Sequence, residues 1–130
     1  SKNTTLTSES VSKTENTQTK NPTEEVVKNY YSNLSQGKYQ EAWNQLSDSF
    51  QNNQKLHPEG YNSYYEWWSG ISNILIQDVQ KINISTDTAT VNVQVKCTKK
   101  SGENLTQSLK LFLVWNSVNE NWSIDAVTLN

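Results

Sequence analysis

Catalysis in a small domain needs a nucleophile or a proton carrier held beside a partner, and this sequence offers few of either. His57 is the only histidine, and it sits in a His57-Pro58-Glu59-Gly60 string that reads as a turn. A histidine alone lacks the orienting partner that acid–base sites require, so it is not expected to be catalytic. Cys97 is the only cysteine, which excludes an internal disulfide. It falls on the apolar side of the alternating run Ala89, Val91, Val93, Val95, Cys97, as a small core residue does. Lys96, Lys99 and Lys100 are its cationic neighbours in sequence, weak support for a lowered thiol pKa. One histidine and one inward cysteine do not make a ligand set, so no metal is expected. Of the aspartates, Asp48 and Asp87 fall in caps or turns, Asp78 at a slip in strand phase, and Asp125 on the phase opposite Trp122 and Ile124. None is a convincing inward base. The sequence has no arginine, the usual bidentate clamp for phosphate and carboxylate. No catalytic residue and no cofactor are expected.

The 13 acidic residues slightly outnumber the 11 lysines, for a net charge of −2. Those lysines are scattered, so nothing favours nucleic acid or an acidic membrane as a partner. No run approaches the roughly 20 apolar residues of a membrane span, and the N-terminus is too polar for a signal peptide. Membrane insertion by these residues is not expected. Residues 1–21 are almost all Ser, Thr, Asn, Gln, Lys and Glu. Such a segment buries too little surface to offset its ordering entropy, and it is assigned as a disordered polar linker. The folded unit is assigned to residues 22–130, and about 110 residues support one core without disulfides or metals.

Within that unit the hydrophobic period is helical first and strand-like afterwards. Asn21 as N-cap, Pro22 at the first helical position and Glu24 as the far side of a capping box open the first helix. Val27, Tyr30, Tyr31 and Leu34 form its stripe and Gly37 stops it. Tyr39, Ala42, Trp43 and Leu46 mark a second helix, with Phe50 extending it by a turn. Ser63 and Glu66 suggest another capping box, opening a third helix striped by Tyr64, Trp67, Trp68 and Ile71. The period then changes to two. A first strand runs through Ile74, Ile76, Val79, Ile82 and Ile84, with a bulge expected near Asp78–Gln80. Thr88 to Lys96, Leu105 to Trp115 and Trp122 to Leu129 are the other strands, the last with Trp122, Ile124 and Ala126 on one face. Three helices before a meandering sheet mean α+β, with the helices packed on the concave face of four antiparallel strands.

Particular strings carry a family resemblance. Tyr30-Tyr31 through Gly37 to Tyr39, then Ala42-Trp43 and Leu46-Ser47, resembles the opening helix pair of nuclear transport factor 2-like domains, which have a cone-shaped, cystatin-like fold. Ser63-Tyr64-Tyr65-Glu66-Trp67-Trp68, Leu111 to Trp115, and Asn121 to Asp125 are similar to the small domain that follows the transmembrane segment in some cyanobacterial serine/threonine protein kinases. The resemblance implies an extracytoplasmic domain, tethered through an upstream segment, that serves signalling. No Gly-rich phosphate loop, His-Arg-Asp or Asp-Phe-Gly occurs in the sequence, so kinase chemistry is not expected of these residues. The same fold hosts ketosteroid isomerases and polyketide cyclases, which makes a small cone-fold enzyme the alternative.

The aromatic load leaves two readings open. Trp43, Tyr64, Trp67, Trp68, Trp115 and Trp122 would fill a cone as core. Alternatively Trp43, Tyr64, Trp67, Trp68 and Trp115 line a pocket for a small apolar or sugar-like ligand. Trp67 and Trp68 diverge by about 100° on a helix, so one should face the core and the other the pocket mouth or solvent. A third expectation is a homodimer. Leu109, Leu111, Leu113 and Trp115 make one side of their strand apolar, while Phe112 and Val114 make the other side apolar too. A strand apolar on both faces is normally covered on both. Sedimentation at high micromolar concentration should then show dimer, and monomer alone would refute it.

Overall fold

The computed structural model describes residues 20–130. Of the segment assigned as linker, residues 1–19 lie outside the described residues, and its last two, Lys20 and Asn21, are held by the fold. Helix α1 spans Thr23–Ser35 and buries Val26, Val27, Tyr30, Tyr31 and Leu34. It ends at Gly37, whose φ of 78° is a left-handed conformation that spares glycine a steric cost. The capping box expected from Asn21 does not form. Pro22 stands at the N-cap with no side-chain bond. Asn21 instead donates its amide to Asn121 Oδ1 at 3.0 Å, and its carbonyl accepts the Trp122 indole N–H at 3.0 Å. A local cap contributes about 1 kcal/mol; here Asn21 instead satisfies the N–H of a buried tryptophan.

The second expected helix is divided in two. Helix α2 covers Tyr39–Asn44 and a single turn, α3, covers Asp48–Gln51. Between them Leu46 forms a parallel bridge to Ile124. Ser47 N–H donates to the Ile124 carbonyl and Ile124 N–H to the Gln45 carbonyl, both at 2.8 Å. Ser47 then caps α3 by accepting from Phe50 N–H at 3.2 Å, and Phe50 is buried. Helix α4, Tyr61–Ser69, starts from Gly60, ahead of the expected Ser63–Glu66 box. Ser63 is inside the helix and its hydroxyl accepts from Glu59 N–H at 2.8 Å.

Strands β1 (Ile71–Ile84), β2 (Thr88–Lys99), β3 (Asn104–Asn116) and β4 (Asn121–Leu129) form an antiparallel meander in sequence order. The slip expected in β1 appears as a register shift between Ile76 and Asp78, with two more after Ile71 and Lys81. Ala89, Val91, Val93, Val95 and Cys97 of β2 are all buried, as the alternation predicts. In β4, Leu113 pairs with Ile124 but Phe112 pairs with Ala126, which leaves Asp125 as a bulge. The bulge reverses the phase. Ala126 lies across from Phe112 on the outer face, not beside Trp122 and Ile124, and Val127 packs on the core in its place. Ser47 and Ser49 hydroxyls donate to the Asp125 carboxylate at 2.7 and 2.9 Å and hold it out of the ladder.

Helix α1 packs across β1 and β2, α4 closes one end, and a single apolar core fills the space between helices and sheet. The architecture is α+β, helices first and a four-strand antiparallel sheet after, as expected of a nuclear transport factor 2-like cone. No described helix is long and apolar enough to cross a membrane.

Candidate functional site

The open end of the cone is shaped by the residues that α1 and α4 turn towards each other. Tyr30 of α1 and Tyr64 of α4 meet there with their hydroxyls 2.6 Å apart, both rings buried. Burial pushes the Tyr30 phenol well above its ordinary range, and the neighbouring Tyr64 adds to this. Burial also raises Tyr64, outweighing the opposite effect of its bond to Tyr30. Tyr31 is raised in the same way. All three are neutral at physiological pH. In the Tyr30–Tyr64 pair one hydroxyl donates to the other, and the accepting hydroxyl keeps a proton for a third group.

His57 completes this cluster. The turn expected around it folds inwards, and its side chain is buried. Its ring lies 5.0 Å from Trp43, 5.6 Å from Phe50 and 5.7 Å from Tyr64, centroid to centroid. His57 Nδ1 sits 3.0 Å from the Phe50 carbonyl. That oxygen can only accept, so in the neutral ring Nδ1 carries the proton and Nε2 is bare.

A cavity of about 510 Å³ opens beside this cluster. Tyr30, Tyr31, Phe50, His57, Tyr64 and Trp68 line its helical side; Gln107, Leu109, Val127, Thr128 and Leu129 line its sheet side. Leu56, Trp67 and Leu129 at the rim are 54%, 52% and 69% exposed, an apolar collar at the opening. The lining contains no acidic residue and no lysine. Its polar side chains are Tyr30, Tyr31, Tyr64, His57, Ser63, Gln107 and Thr128.

Of the five residues expected to line an aromatic pocket, Tyr64, Trp67 and Trp68 come together here. Trp68 packs edge-on against Tyr31 at 6.5 Å, while the adjacent Trp67 points to the opening with the Lys99 ammonium 5.7 Å from its ring. Trp43 stands one layer behind, against Tyr61, Tyr64 and His57, and does not line the cavity. Trp115 belongs elsewhere. It packs edge-on against Trp122 at 5.4 Å, with the Lys20 ammonium 4.7 Å from its ring. Leu109 pairs with Leu129 at the cavity end of the sheet and Trp115 pairs with Trp122 at the far end. Six residues of strand separate them by about 20 Å.

Tyr30, Tyr31 and His57 are site residues that the sequence reading missed. The tyrosines were visible only as a helix stripe, and His57 was masked by its Pro-Gly surroundings. Cys97 is free and buried on the inner face, where burial raises its thiol pKa. No group of three His, Cys, Asp or Glu side chains gathers to hold a metal among the described residues. Phe112 is 37% exposed on the outer face, across from Thr90 and Ala126, and Val114 lies across from Thr88 and Ser123.

Serine/threonine-protein kinase PknA of Nostoc sp. is 44% identical to this chain over 102 residues, which make up 78% of the chain and 18% of the kinase. The chain thus spans less than a fifth of the curated relative it matches. The likeness to a cyanobacterial kinase, read from the aromatic strings, is shown by this relative. Among solved structures, an NTF2-like transpeptidase of Campylobacter jejuni matches with a TM-score of 0.49 and 16% identity, covering 82% of this chain and 99% of that one. No family model matches the chain.

Proposed function

We propose that this chain is a non-catalytic sensor domain of a membrane-anchored serine/threonine kinase, held on the extracytoplasmic side, and that its open cone end binds a small apolar ligand carrying one hydrogen-bond acceptor. The similarity to part of a kinase supports the context. One observation carries the binding role: a cavity of about 510 Å³, apolar at its rim, with the neutral Tyr30–Tyr64 pair at its wall. Pockets of roughly 300–1,000 Å³ with few, fixed polar groups suit small molecules. The isomerase alternative draws on the same tyrosine pair, which could hold an enolate oxygen. It also needs a carboxylate base opposite those donors, and no acid lines the cavity.

Benzophenone, an apolar ketone that only accepts hydrogen bonds, is a suitable probe. It should quench tryptophan fluorescence saturably. Trp67→Ala should weaken binding several-fold. The Tyr30→Phe/Tyr64→Phe double variant should weaken it by up to about tenfold, the worth of one hydrogen bond. Binding of equal strength to all three proteins would refute the site. The extracytoplasmic assignment is checked separately, by a reporter fusion that is active only outside the cytoplasm.

A further inference from the structure

We propose that a second groove, at the opposite end of the sheet from the cone opening, binds a neutral saccharide. The groove is an open cleft of about 740 Å³ between the Asn44–Gln51 segment and the β3–β4 hairpin, room enough for a small sugar. Asn44, Asp48 and Gln51 stand on one wall; Trp115, Asn116, Asn119 and Ser123 stand on the other. Amide and hydroxyl side chains both donate and accept, as each hydroxyl of a sugar does. The half-buried Trp115 adds the apolar surface that the C–H groups of a sugar ring require. Asp48 is the only charged residue of the lining, and the nearest ammonium, that of Lys20 over the Trp115 ring, is not part of it. That balance favours a neutral polyol over a phosphate or a carboxylate.

A second observation points to a ligand independently of this composition. Ser123 is 8% exposed, lines the groove, and its hydroxyl has no hydrogen-bond partner among the described residues. An unpaired buried hydroxyl costs roughly 1–3 kcal/mol, and a ligand hydroxyl would satisfy it. The exposed Asp48 carboxylate and Asn119 amide line the same space and offer further acceptors and donors. The walls are fixed in advance. The Leu46–Ile124 bridge and the Asp125 bonds to Ser47 and Ser49 anchor one side. On the other, Asn116 Oδ1 accepts from the N–H groups of Val118 and Asn119 at 3.0 and 3.1 Å, setting the turn. A prearranged polar wall spares a ligand the entropy of ordering it.

The test is an NMR titration of the isotope-labelled chain with maltose, cellobiose and trehalose, each taken to tens of millimolar. At least one should shift the Trp115 indole and the Asn116, Asn119 and Ser123 amide signals together. Asp48→Ala and Asn119→Ala should each weaken that sugar about tenfold with the rest of the spectrum unchanged. Ser123→Ala should weaken it several-fold while leaving thermal stability equal or higher, a combination that a purely structural serine would not give. Trp67→Ala, at the other end of the molecule, should leave sugar binding unchanged. Four results would overturn the proposal: no groove signal moving with any of the three sugars, variants that bind as well as the parent, a glucose phosphate that binds as tightly as the neutral sugar, or a tetraglycine amide that shifts the same signals more than any sugar does.

Discussion

Replacing Trp122 by alanine should remove about 4 kcal/mol of stability, the middle of the range for a large aromatic cut from a core. Trp122 is almost completely buried, packs edge-on against Trp115, and donates its indole N–H to the Asn21 carbonyl. Alanine would open a cavity beside Trp115 and leave that carbonyl unpaired. It would also free the Lys20–Asn21 segment, which otherwise docks through Trp115, Trp122, Asn121 and the Thr86 carbonyl. Trp122→Phe keeps most of the volume and loses the bond, so it should cost only about 1–2 kcal/mol. Trp67→Ala removes a side chain that is half in solvent, and should cost under about 1 kcal/mol. Urea midpoints of the three variants check the order. A Trp122→Ala chain as stable as Trp67→Ala would refute the packing described for this end of the cone.

The contrast between these tryptophans shows what the sequence could and could not reveal. Periodicity reports which face of an element is buried, so α1, α4 and the inner row of β2 were legible from Val27, Tyr64 or Val93 and their spaced neighbours. It says little about where along an element a side chain ends up relative to others. Trp115 and Trp67 are both aromatic at plausible pocket positions, yet β3 carries Trp115 to the far end from the cavity. Interruptions were also hidden where a distant partner creates them. Leu46 has the spacing of a helix residue, but Ile124 draws it into a bridge. Asp125 continues the alternation of β4, but Ser47 and Ser49 bind its carboxylate and bulge the strand. Both capping boxes were outcompeted in the same way, one by Trp122 and Asn121, the other by a helix start at Gly60. His57 illustrates the limit of composition: Pro58 and Gly60 do make a turn, and the turn points inwards.

Alkali should unfold the domain, and the buried tyrosines set the direction. Tyr30, Tyr31 and Tyr64 have phenols raised above their ordinary value, chiefly by burial. In the unfolded chain they ionise near pH 10. Below that pH both states keep the protons, and the contribution of the neutral, packed phenols to stability is intact. As pH rises past about 10 the unfolded state releases protons that the folded state still holds, so stability falls. With three phenols fully ionised only in the unfolded chain, the slope approaches about 4 kcal/mol per pH unit. The buried Cys97 thiol, also raised, acts in the same direction. A pH series followed by both far-ultraviolet circular dichroism and tyrosinate absorbance tests this. Ionisation of three of the six tyrosines should coincide with the loss of secondary structure, not precede it. Tyr30→Phe alone leaves the Tyr64 hydroxyl unpaired and should cost about 1–3 kcal/mol at neutral pH, while the Tyr30→Phe/Tyr64→Phe pair should recover much of that loss. The double variant should also flatten the alkaline slope, because two of the three protons are gone. Complete tyrosine ionisation with the circular dichroism intact would mean that the hydroxyl pair is open to solvent, and would remove the neutral anchor on which ligand binding at the cone opening depends.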